Sequence, residues 1–404
     1  MLKNYLIVVL GSLFYCYEFF IRVSPSAITD DLMLHFNVHA SGLALMSAAF
    51  FYAYMPMQMF AGFIGDKFGV RKTLTVCIGL CSLATLLFVF SQNIWWATTA
   101  RFLMGLSASF AYVGPLMLAN AWLDKKYYAA SAGLVQVLGS FGAFLVGSEL
   151  SARTLQTNWQ ETYYILAIIG FILMIIIYLF VRNTPKDHDI DSSESKIAII
   201  PAIKELLSKR KVWFIAFAGF AFWAPMSIFS ELWGAKFLHQ HEHISIVLAN
   251  SQMRFMWIGV ALGGPIWGWI SFYNRLLVMK FAYTLLFVVA SVLLYKEGAS
   301  LFVTDILLFL FGFACSAQCI SFGLIRDYQG KHLIGTAVGF NNMFVILGGA
   351  VLQPLSGVLI DYFDKFTNIT HLMSMQFTFF MIPIISLFGL YIVQFQLGKI
   401  GSCK

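Results

Sequence analysis

The chain has 404 residues, of which 60% are hydrophobic and only 11% carry a charge, and its mean hydropathy is +0.79. A soluble globular domain has about 25% charged residues, so this composition excludes a soluble protein and indicates one that crosses a membrane several times. The formal net charge of +7 is a reason to consider a nucleic-acid partner, and the placement of the basic residues, described below, argues against one.

Long apolar stretches recur along the whole chain. Crossing about 30 Å of hydrocarbon takes roughly 20 helical residues, and twelve stretches are long enough to do so. The connections between most of them are short, which forces neighbouring helices to be antiparallel. The sequence therefore predicts an all-α membrane protein with twelve transmembrane helices. They lie near 5–28, 40–65, 73–91, 95–122, 129–151, 162–181, 212–236, 247–272, 276–295, 300–325, 334–361 and 374–397.

A polar segment at 182–211 separates the first six predicted spans from the last six. It contains Pro185, the run D-H-D-I-D-S-S-E-S and Pro201, followed by several basic residues. This pattern predicts an N-terminal six-helix bundle at 1–181, a cytoplasmic linker at 182–211 and a C-terminal six-helix bundle at 212–404. Transporters built from such repeats have their substrate site between the halves, near the middle of the membrane.

The basic residues lie mainly on one side of the predicted spans. If the N-terminus is inside, the inner segments hold most of the 26 Lys and Arg residues, among them Lys67, Lys125, Lys126 and the K-R-K run of the linker. Because an excess of Lys and Arg marks cytoplasmic segments, both termini are predicted to be cytoplasmic. The same distribution accounts for the net charge, so no nucleic-acid partner is expected.

Away from the ends of the predicted inner segments and outer loops, six charged groups are expected in or near hydrocarbon. An unpaired charge there costs about 3 kcal/mol, so together they would cost roughly 18 kcal/mol, which exceeds the stability of a typical protein, about 5–15 kcal/mol. They must therefore be paired or line a wet cavity, and three acids balance three bases. A purely structural role in pairing helices is the alternative to a transport site, above all for the last three. The six are Glu18, Arg22, Arg101, Glu231, Arg254 and Asp305.

The first span carries a polar face. Glu18 and Arg22 are spaced i, i+4 and therefore lie on one side of a helix, together with Tyr15. At 1.5 Å per residue, Arg22 and Arg101 lie about 9 Å below the outer surface and Glu18 about 15 Å below it. We expect these three charged residues to meet if the first and fourth spans are neighbours. Polar residues at facing depths are expected to line the same cavity: Gln136, Asn341 and Asn342.

Two motifs resemble those of a known family. The turn after the second span reads G-F-I-G-D-K-F-G-V-R-K, with Gly62, Asp66, Gly69, Arg71 and Lys72. It resembles the signature G-x-x-x-D-[RK]-x-G-x-[RK]-[RK] of the major facilitator superfamily, at the place where that family carries it. The stretch R-F-L-M-G from Arg101 resembles the family's R-x-x-x-G motif, which is associated with proton coupling or substrate charge. The first span, with Y-x-Y-E-x-x-x-R, is similar to bacterial relatives of the lysosomal dipeptide-transporter branch.

The resemblance implies two six-helix bundles that rock about a central site, so that the site opens to one side of the membrane at a time. It also implies that Asp66 latches the cytoplasmic side against the start of the eleventh span, near Gly335. The corresponding turn after the eighth span, G-W-I-S-F-Y-N-R, lacks the acid, so a latch there would be asymmetric or weaker. An ordinary charged turn without a gating role is the alternative.

The favoured hypothesis is a proton-coupled symporter that imports a small anionic or zwitterionic solute, such as an amino acid, a short peptide or a carboxylate. Glu18 would bind the proton, and Arg22 or Arg101 would bind a substrate carboxylate with bidentate geometry. Coupling to sodium stays open. One alternative is proton-driven efflux of an amphipathic or cationic compound, which is disfavoured because the fifth span lacks the Gly-Pro pair typical of such exporters. Another is a membrane sensor that does not transport.

Neither an enzyme nor a cofactor is expected, because no nucleophile–base pair or metal site lies at membrane depth. The loop after the seventh span contains His239, His241, Glu242 and His243. Such a pattern can bind a transition metal, but a solvated loop is the favoured interpretation. The expected partners are a small-molecule substrate, protons and the lipid bilayer. We expect a monomer in a bacterial inner membrane.

Overall fold

The computed structural model describes residues 2–124, 128–147, 158–184, 199–296, 298, 300–328 and 334–397. Within these ranges all regular secondary structure is helical. This is what hydrocarbon requires, because a helix satisfies its backbone hydrogen bonds internally where no water can do so. Lys125, Lys126 and the polar run 185–198 of the predicted linker lie outside the described residues.

The N-terminal half, up to residue 184, contains helices α1 to α9. A 3-10 segment, Ser24–Ala27, follows α1 and continues the first span. The second span consists of α3 and α4, and the fourth of α6 and α7. The helices are α1 (Leu2–Val23), α2 (Thr29–Phe36), α3 (Ala40–Met57), α4 (Ala61–Phe68), α5 (Val70–Val89), α6 (Ile94–Ala108), α7 (Val113–Trp122), α8 (Tyr128–Leu145) and α9 (Trp159–Phe180).

The C-terminal half, from residue 199, contains helices α10 to α20. A π-helical segment, Phe229–Trp233, joins α11 to α12, and a second one, Ile392–Leu397, follows α20. A 3-10 segment, Ser316–Gln318, joins α15 to α16. The helices are α10 (Ile199–Leu207), α11 (Arg210–Ile228), α12 (Gly234–His241), α13 (Ile246–Ile270), α14 (Arg275–Tyr295), α15 (Leu301–Cys315), α16 (Cys319–Tyr328), α17 (Ile334–Val345), α18 (Leu347–Phe366), α19 (His371–Phe379) and α20 (Met381–Tyr391).

Most of the predicted spans reappear as long apolar helical stretches. Within the described residues, 10 stretches are long and apolar enough to cross a membrane. The predicted fifth and eighth spans coincide with α8 and α13, which are not among these 10. The chain is therefore an all-helical membrane protein, while the number of twelve spans and the cytoplasmic position of the termini stay predictions.

Polar residues begin several spans where the chain enters the apolar layer. The side chain of Asn93 accepts hydrogen bonds from the backbone N–H groups of Trp95 and Trp96 at the start of α6. Such caps satisfy N–H groups that have no partner inside the helix. The same arrangement begins five further helices, with Asn158, Ser245, Asn274, Ser300 and Thr370 as the capping residues.

Close helix packing in one half has a counterpart in the other. A Cβ atom added at Gly105 of α6 would lie 1.9 Å from the carbonyl oxygen of Phe50 in α3. A Cβ atom at Gly312 of α15 would lie 1.9 Å from the carbonyl oxygen of Met256 in α13. Only glycine permits backbones to approach so closely. The second and fourth spans thus pack in the same way as the eighth and tenth.

The two halves meet along two pairs of helices, α3 with α18 and α8 with α13. A third contact joins the 3-10 segment Ser24–Ala27 to the π-helical segment Phe229–Trp233. The ends of the first and seventh spans therefore lie side by side, and this brings buried charges of both halves together.

Candidate functional site

The centre of the candidate site is an arginine between two carboxylates. Arg22 Nη1 lies 3.4 Å from Glu18 Oε1, and Arg22 Nη2 lies 3.5 Å from Glu231 Oε1. The three side chains are sealed from the surface, since their residues are 3%, 0% and 0% exposed. Because Glu231 belongs to the C-terminal half, the Arg22 guanidinium joins the two halves of the chain. We call Glu18, Arg22 and Glu231 the central triad.

The triad lies where regular helices end. Arg22 is in the last turn of α1, where the partial negative charge of the helix end favours a cation. Glu231 lies in the π-helical segment Phe229–Trp233, which follows Pro225 of α11. A proline inside a helix removes one backbone hydrogen bond, and short π-helical segments occur frequently at functional sites. The carboxylate of Glu231 thus reaches Arg22 from an irregular stretch of the seventh span.

Aromatic rings surround the triad. The Arg22 guanidinium lies over the ring of Phe19, 3.6 Å from its centroid, close enough for a cation–π interaction. Phe19 contacts Trp257 of α13, with ring centroids 5.6 Å apart, and Trp257 lies 6.3 Å from Trp223 of α11. On the opposite side Tyr15 packs against Tyr112 at 5.2 Å. The site is therefore polar at its centre and aromatic at its walls.

Arg101 reaches the first span through main-chain atoms. Its Nη1 donates to the carbonyl of Ile21 at 2.9 Å and its Nη2 to the carbonyl of Arg22 at 3.2 Å. In an α-helix the Ile21 carbonyl would accept from the N–H of residue 25, but Pro25 has none. Arg101 and the hydroxyl of Ser24, at 3.0 Å, take that place. Among the described residues no ion pair joins Arg101 to Glu18. Arg101 therefore contacts the first span as expected, but it binds backbone carbonyls and not the charged side chains.

The buried charges keep unused hydrogen-bonding capacity. Both carboxylate oxygens of Glu18 and the Nε atoms of Arg22 and Arg101 have no hydrogen-bond partner among the described residues. The ion-pair distances of Arg22 also exceed the usual 2.7–2.9 Å of a charged hydrogen bond, by about 0.6 Å. Buried polar groups normally have partners. The triad can therefore accept a further charged or polar group without first breaking an optimal arrangement.

The remaining polar residues predicted for the cavity lie at two levels. Gln136 is partly buried in α8, one turn before Gly139, where a Cβ atom would be 2.5 Å from the ring of Tyr15. Asn341 and Asn342 belong to α17 at a different level, nearer the predicted inner side. Asn341 donates to Ser321 Oγ at 2.9 Å. The two asparagines thus do not contact the triad.

Asn342 makes a contact between the halves that the sequence interpretation missed. Its Nδ2 donates to Gln58 Oε1 at 2.8 Å, and Gln58 Nε2 donates to the carbonyl of Ser109 at 3.1 Å. Gln58 is 4% exposed. An amide two residues after Pro56 in an apolar span was a usable signal, since a buried polar side chain needs a partner.

Arg254 and Asp305 are placed apart from the triad. Both are partly exposed, on α13 and α15. Asp305 Oδ1 accepts a hydrogen bond from Gln252 at 3.2 Å, and the Arg254 guanidinium lies 5.5 Å from the ring centroid of Phe255. Within the described residues neither one forms an ion pair with the triad. Of the three charged residues of the C-terminal half, Glu231, Arg254 and Asp305, only Glu231 belongs to the central triad.

The turn after the second span, Gly62 to Lys72, contacts the sixth span of its own half. Arg71 Nε and Nη2 donate to the carbonyl of Tyr178 at 2.9 and 2.6 Å, and the Arg71 N–H donates to Asn183 at 2.8 Å. Gly69 has a φ of +82°, which glycine adopts without strain. Asp66 and Lys72 are exposed at this turn and Gly62 is partly buried. The latch of Asp66 against α17 stays a prediction.

His239 and His241, which the sequence analysis placed in a loop, lie in the last turn of α12 and have separate contacts. His239 Nδ1 lies 2.5 Å from the carbonyl of Ile244, and His241 Nε2 lies 3.1 Å from the carbonyl of Lys296. In the part of the chain that the structure describes, no group of three or more His, Cys, Asp or Glu residues has metal-binding geometry. These contacts with backbone carbonyls connect the end of α12 to the segment that follows it and to Lys296 at the end of α14.

The chain is similar to known membrane transporters. The Major Facilitator Superfamily model matches residues 8–352. The curated protein "Probable galactarate/D-glucarate transporter GarP" of Escherichia coli (strain K12) is 24% identical over 383 residues, covering 85% of each chain. The hexuronate transporter of Bacillus subtilis (strain 168) is 21% identical over 372 residues, covering 86% of this chain and 85% of its own.

A solved structure has the same fold. The crystal structure of a bacterial homologue of the human lysosomal transporter Spinster, in an inward-facing and unoccupied conformation, superimposes with a TM-score of 0.75. The match covers 97% of this chain and 96% of that one at 14% sequence identity. At this identity the likeness concerns the fold alone.

Proposed function

Because this chain belongs to the Major Facilitator Superfamily of membrane transporters, we propose that it works by alternating access and imports a small organic anion together with protons. The observation that carries the proposal is the central triad, in which the Arg22 guanidinium lies between Glu18 of one half and Glu231 of the other. A substrate bound there would contact both halves, and its binding would be linked to their relative movement.

The charges of the site explain why an anion and a proton would bind together. Glu18 and Glu231 balance Arg22 and Arg101, so the empty cluster is neutral when all four are ionised. A substrate carboxylate adds one negative charge at a depth where an uncompensated charge costs about 3 kcal/mol. A proton on Glu18 removes that excess. The bound state is therefore favoured only when both have arrived.

Binding would proceed by exchange of partners on Arg22. A protonated Glu18 no longer attracts the guanidinium as a charge, and its ion pair with Arg22 is already long at 3.4 Å. The planar guanidinium can then form a bidentate pair with the substrate carboxylate. If the substrate also displaces Glu231, the ion pair that joins the halves at the centre is lost, which lowers the free-energy cost of separating them there. Alternating access would then follow from the exchange.

Organic acids are the substrate class that we propose. The relatives reported above are named for galactarate, D-glucarate and hexuronate, all of which carry carboxylates. This favours a carboxylate over the amino acids and short peptides that the sequence also allowed. Those relatives come from bacteria, which supports a bacterial inner membrane as the location. We propose that the monomer is the transporting unit, because each chain contains both halves of the site.

The alternatives make different demands on the same residues. A cationic efflux substrate would need Glu18 and Glu231, but Arg22 already occupies the space between these carboxylates. A sensor would bind the anion without moving it across the membrane. Flux into proteoliposomes separates the three: proton-driven uptake supports the proposal, proton-driven extrusion supports efflux, and binding without flux supports a sensor.

Replacing Glu18 by glutamine tests the proton site. With D-glucuronate, which carries one carboxylate, as the probe, a gradient of one pH unit supports about tenfold accumulation by the wild-type protein if one proton accompanies each molecule. We expect Glu18→Gln to abolish this accumulation, because glutamine cannot release a proton, while exchange of labelled for unlabelled substrate continues. Glu161→Gln, which changes an exposed acid at the start of α9, is the matched control. Accumulation that still follows the pH gradient in Glu18→Gln would exclude Glu18 as the proton carrier.

A further inference from the structure

A carboxylate near the end of the eleventh span caps the start of the second span across the boundary between the halves. Asp361 Oδ1 accepts the backbone N–H of Ala40 at 3.1 Å, and Asp361 Oδ2 accepts that of Ser41 at 2.9 Å. Ala40 and Ser41 are the first two residues of α3, which belongs to the N-terminal half, while Asp361 lies in α18 of the C-terminal half. This contact lies on the side of the protein that the basic residues predict to be outer.

The electrostatics of this contact favour it. The first N–H groups of a helix have no partner inside it, and the helix start carries a partial positive charge that attracts an anion. His39, the N-cap of α3, has no side-chain hydrogen bond to the helix. Asp361 therefore supplies from the opposite half the cap that the sequence around residue 39 lacks. Its two oxygens bind two N–H groups, and hydrogen bonds to a charged group are stronger than neutral ones.

The backbones of α3 and α18 can approach closely because position 357 is a glycine. A Cβ atom added at Gly357, one turn before Asp361, would lie 2.6 Å from the carbonyl oxygen of Ala40. Any larger residue there would push α18 away from α3 and lengthen the hydrogen bonds of Asp361. Ala40 is itself buried, at 7% exposed, and Asp361 is partly buried. The carboxylate is thus held in place by packing as well as by its charge.

A second charged contact joins the halves on the same side. Lys236 of α12 lies 2.7 Å from Asp30 of α2. The Lys236 side chain is 11% exposed and the Asp30 side chain 60%, so this ion pair is partly buried at the outer edge of the contact between the halves. On the predicted inner side, the contact between the halves described above is the neutral amide pair Gln58–Asn342. Of the contacts named here at the two faces of the protein, the charged ones therefore lie on the predicted outer side, and those of Asp361 are bonds to the backbone of the other half.

From these contacts we propose that Asp361 and the N-terminus of α3 form an outer latch, which holds the outer side closed and must open for substrate to enter from outside. The outer latch depends on the part of the proposed function that assumes alternating access. It does not depend on the identity of the substrate or of the coupling ion. It differs from the latch implied for Asp66 in its location: it joins the outer ends of the second and eleventh spans instead of their inner ends.

The distance between the outer ends of the halves tests the latch. Spin labels at Leu34 of α2 and Lys365 of α18, both exposed, report this distance in a full-length background without the six native cysteines, reconstituted in lipid nanodiscs. Without substrate we expect the short-distance, outward-closed population to predominate over the outward-open one. Asp361→Asn loses the charge and one acceptor, and should raise the ratio of the outward-open to the outward-closed population roughly fivefold. Asp364→Asn, whose carboxylate pairs with His371 of the same half, should leave the distances unchanged.

A second variant removes the donor and keeps the carboxylate. Ala40→Pro deletes the N–H that Asp361 Oδ1 accepts, at the first helical position, which proline tolerates well. His39 has a ψ of −178°, as the residue before a proline requires, so α3 can still form. We expect the same lengthening as in Asp361→Asn. The latch is refuted if both variants fold and their distances match those of wild type and Asp364→Asn.

The two proposals fail in distinguishable ways. If Asp361→Asn lengthens the outer distance while D-glucarate and D-glucuronate show no proton-driven flux, the proposed substrate or coupling is wrong and the latch stands. If the wild-type protein accumulates these probes with protons and neither latch variant changes the distance, the latch is wrong and the proposed function stands. The distance measurement needs no substrate, which keeps the two results independent.

Discussion

Arg101 shows that a buried charged side chain can stabilise the main chain by donating hydrogen bonds to backbone carbonyls. Proline at position 25 leaves the Ile21 carbonyl without its helical donor, and the Arg101 guanidinium donates to that carbonyl and to the next one. The bonded carbonyls belong to the last turn of α1, which carries Arg22. Arg101 therefore positions the central arginine, and we assign it no direct contact with the substrate.

A double-mutant cycle tests this role of Arg101. Arg101→Met leaves two buried carbonyls with fewer donors and should lower the free energy of unfolding by about 2 kcal/mol. Pro25→Ala supplies the missing N–H, so the loss should be smaller by about 1 kcal/mol in the double variant. Thermal unfolding in detergent measures both. Arg254→Met is the control and should show no coupling to Pro25→Ala. Strict additivity of Arg101→Met and Pro25→Ala would contradict the capping role.

At the residue scale, local partners were predictable and distant ones were not. The i, i+4 spacing of Glu18 and Arg22 predicted their contact, because helix geometry alone brings such residues together. Glu231 was predicted as a buried charge, but nothing in its neighbourhood along the chain named Arg22 as its partner. Asp30 and Asp361 looked like ordinary charges at the ends of spans. Their contacts depend on helices far apart in sequence.

At the scale of elements, the two irregular segments lie next to each other. The 3-10 segment Ser24–Ala27 and the π-helical segment Phe229–Trp233 contact each other across the two halves. Each follows a helix that carries charge or proline near its end, and each exposes backbone groups that a regular helix would satisfy. The sequence analysis did not predict either interruption; Pro25 and Pro225 are compatible with one, but proline alone does not determine whether a kink, a 3-10 turn or a π-helical turn forms.

Helix packing within the N-terminal half depends on Gly105. The carbonyl of Phe50 occupies the space that a Cβ atom at Gly105 would take, so Gly105→Ala must push α6 away from α3. We expect a loss of about 1–3 kcal/mol in the free energy of unfolding and a lower yield of folded protein. Gly133→Ala, where no atom lies within 4 Å of the added Cβ, should be neutral or stabilising. Equal melting temperatures for the two variants would show that the α3–α6 contact can adjust.

At the scale of the whole molecule, the neutral charge cluster predicts electroneutral transport of a monocarboxylate. If one proton enters with each D-glucuronate, no net charge crosses the membrane. Uptake should then change by less than about twofold when 100 mV is imposed, whereas net movement of one charge could alter accumulation roughly fifty-fold. Potassium gradients with valinomycin in proteoliposomes provide the measurement. A steep dependence on the membrane potential would require a different number of protons, or another ion.

The sequence by itself determined that this protein is an all-helical membrane protein, and it predicted which charges lie at membrane depth. Hydrocarbon imposes both, since it requires long apolar helices and makes every buried ionisable residue costly. Only the tertiary structure decided how these charges are distributed. It brought Glu231 to Arg22, directed Arg101 to backbone carbonyls, left Arg254 and Asp305 near the surface, and placed Asp361 on the start of α3. Each of these contacts joins different spans, and their geometry follows from how helices pack, which no local pattern encodes.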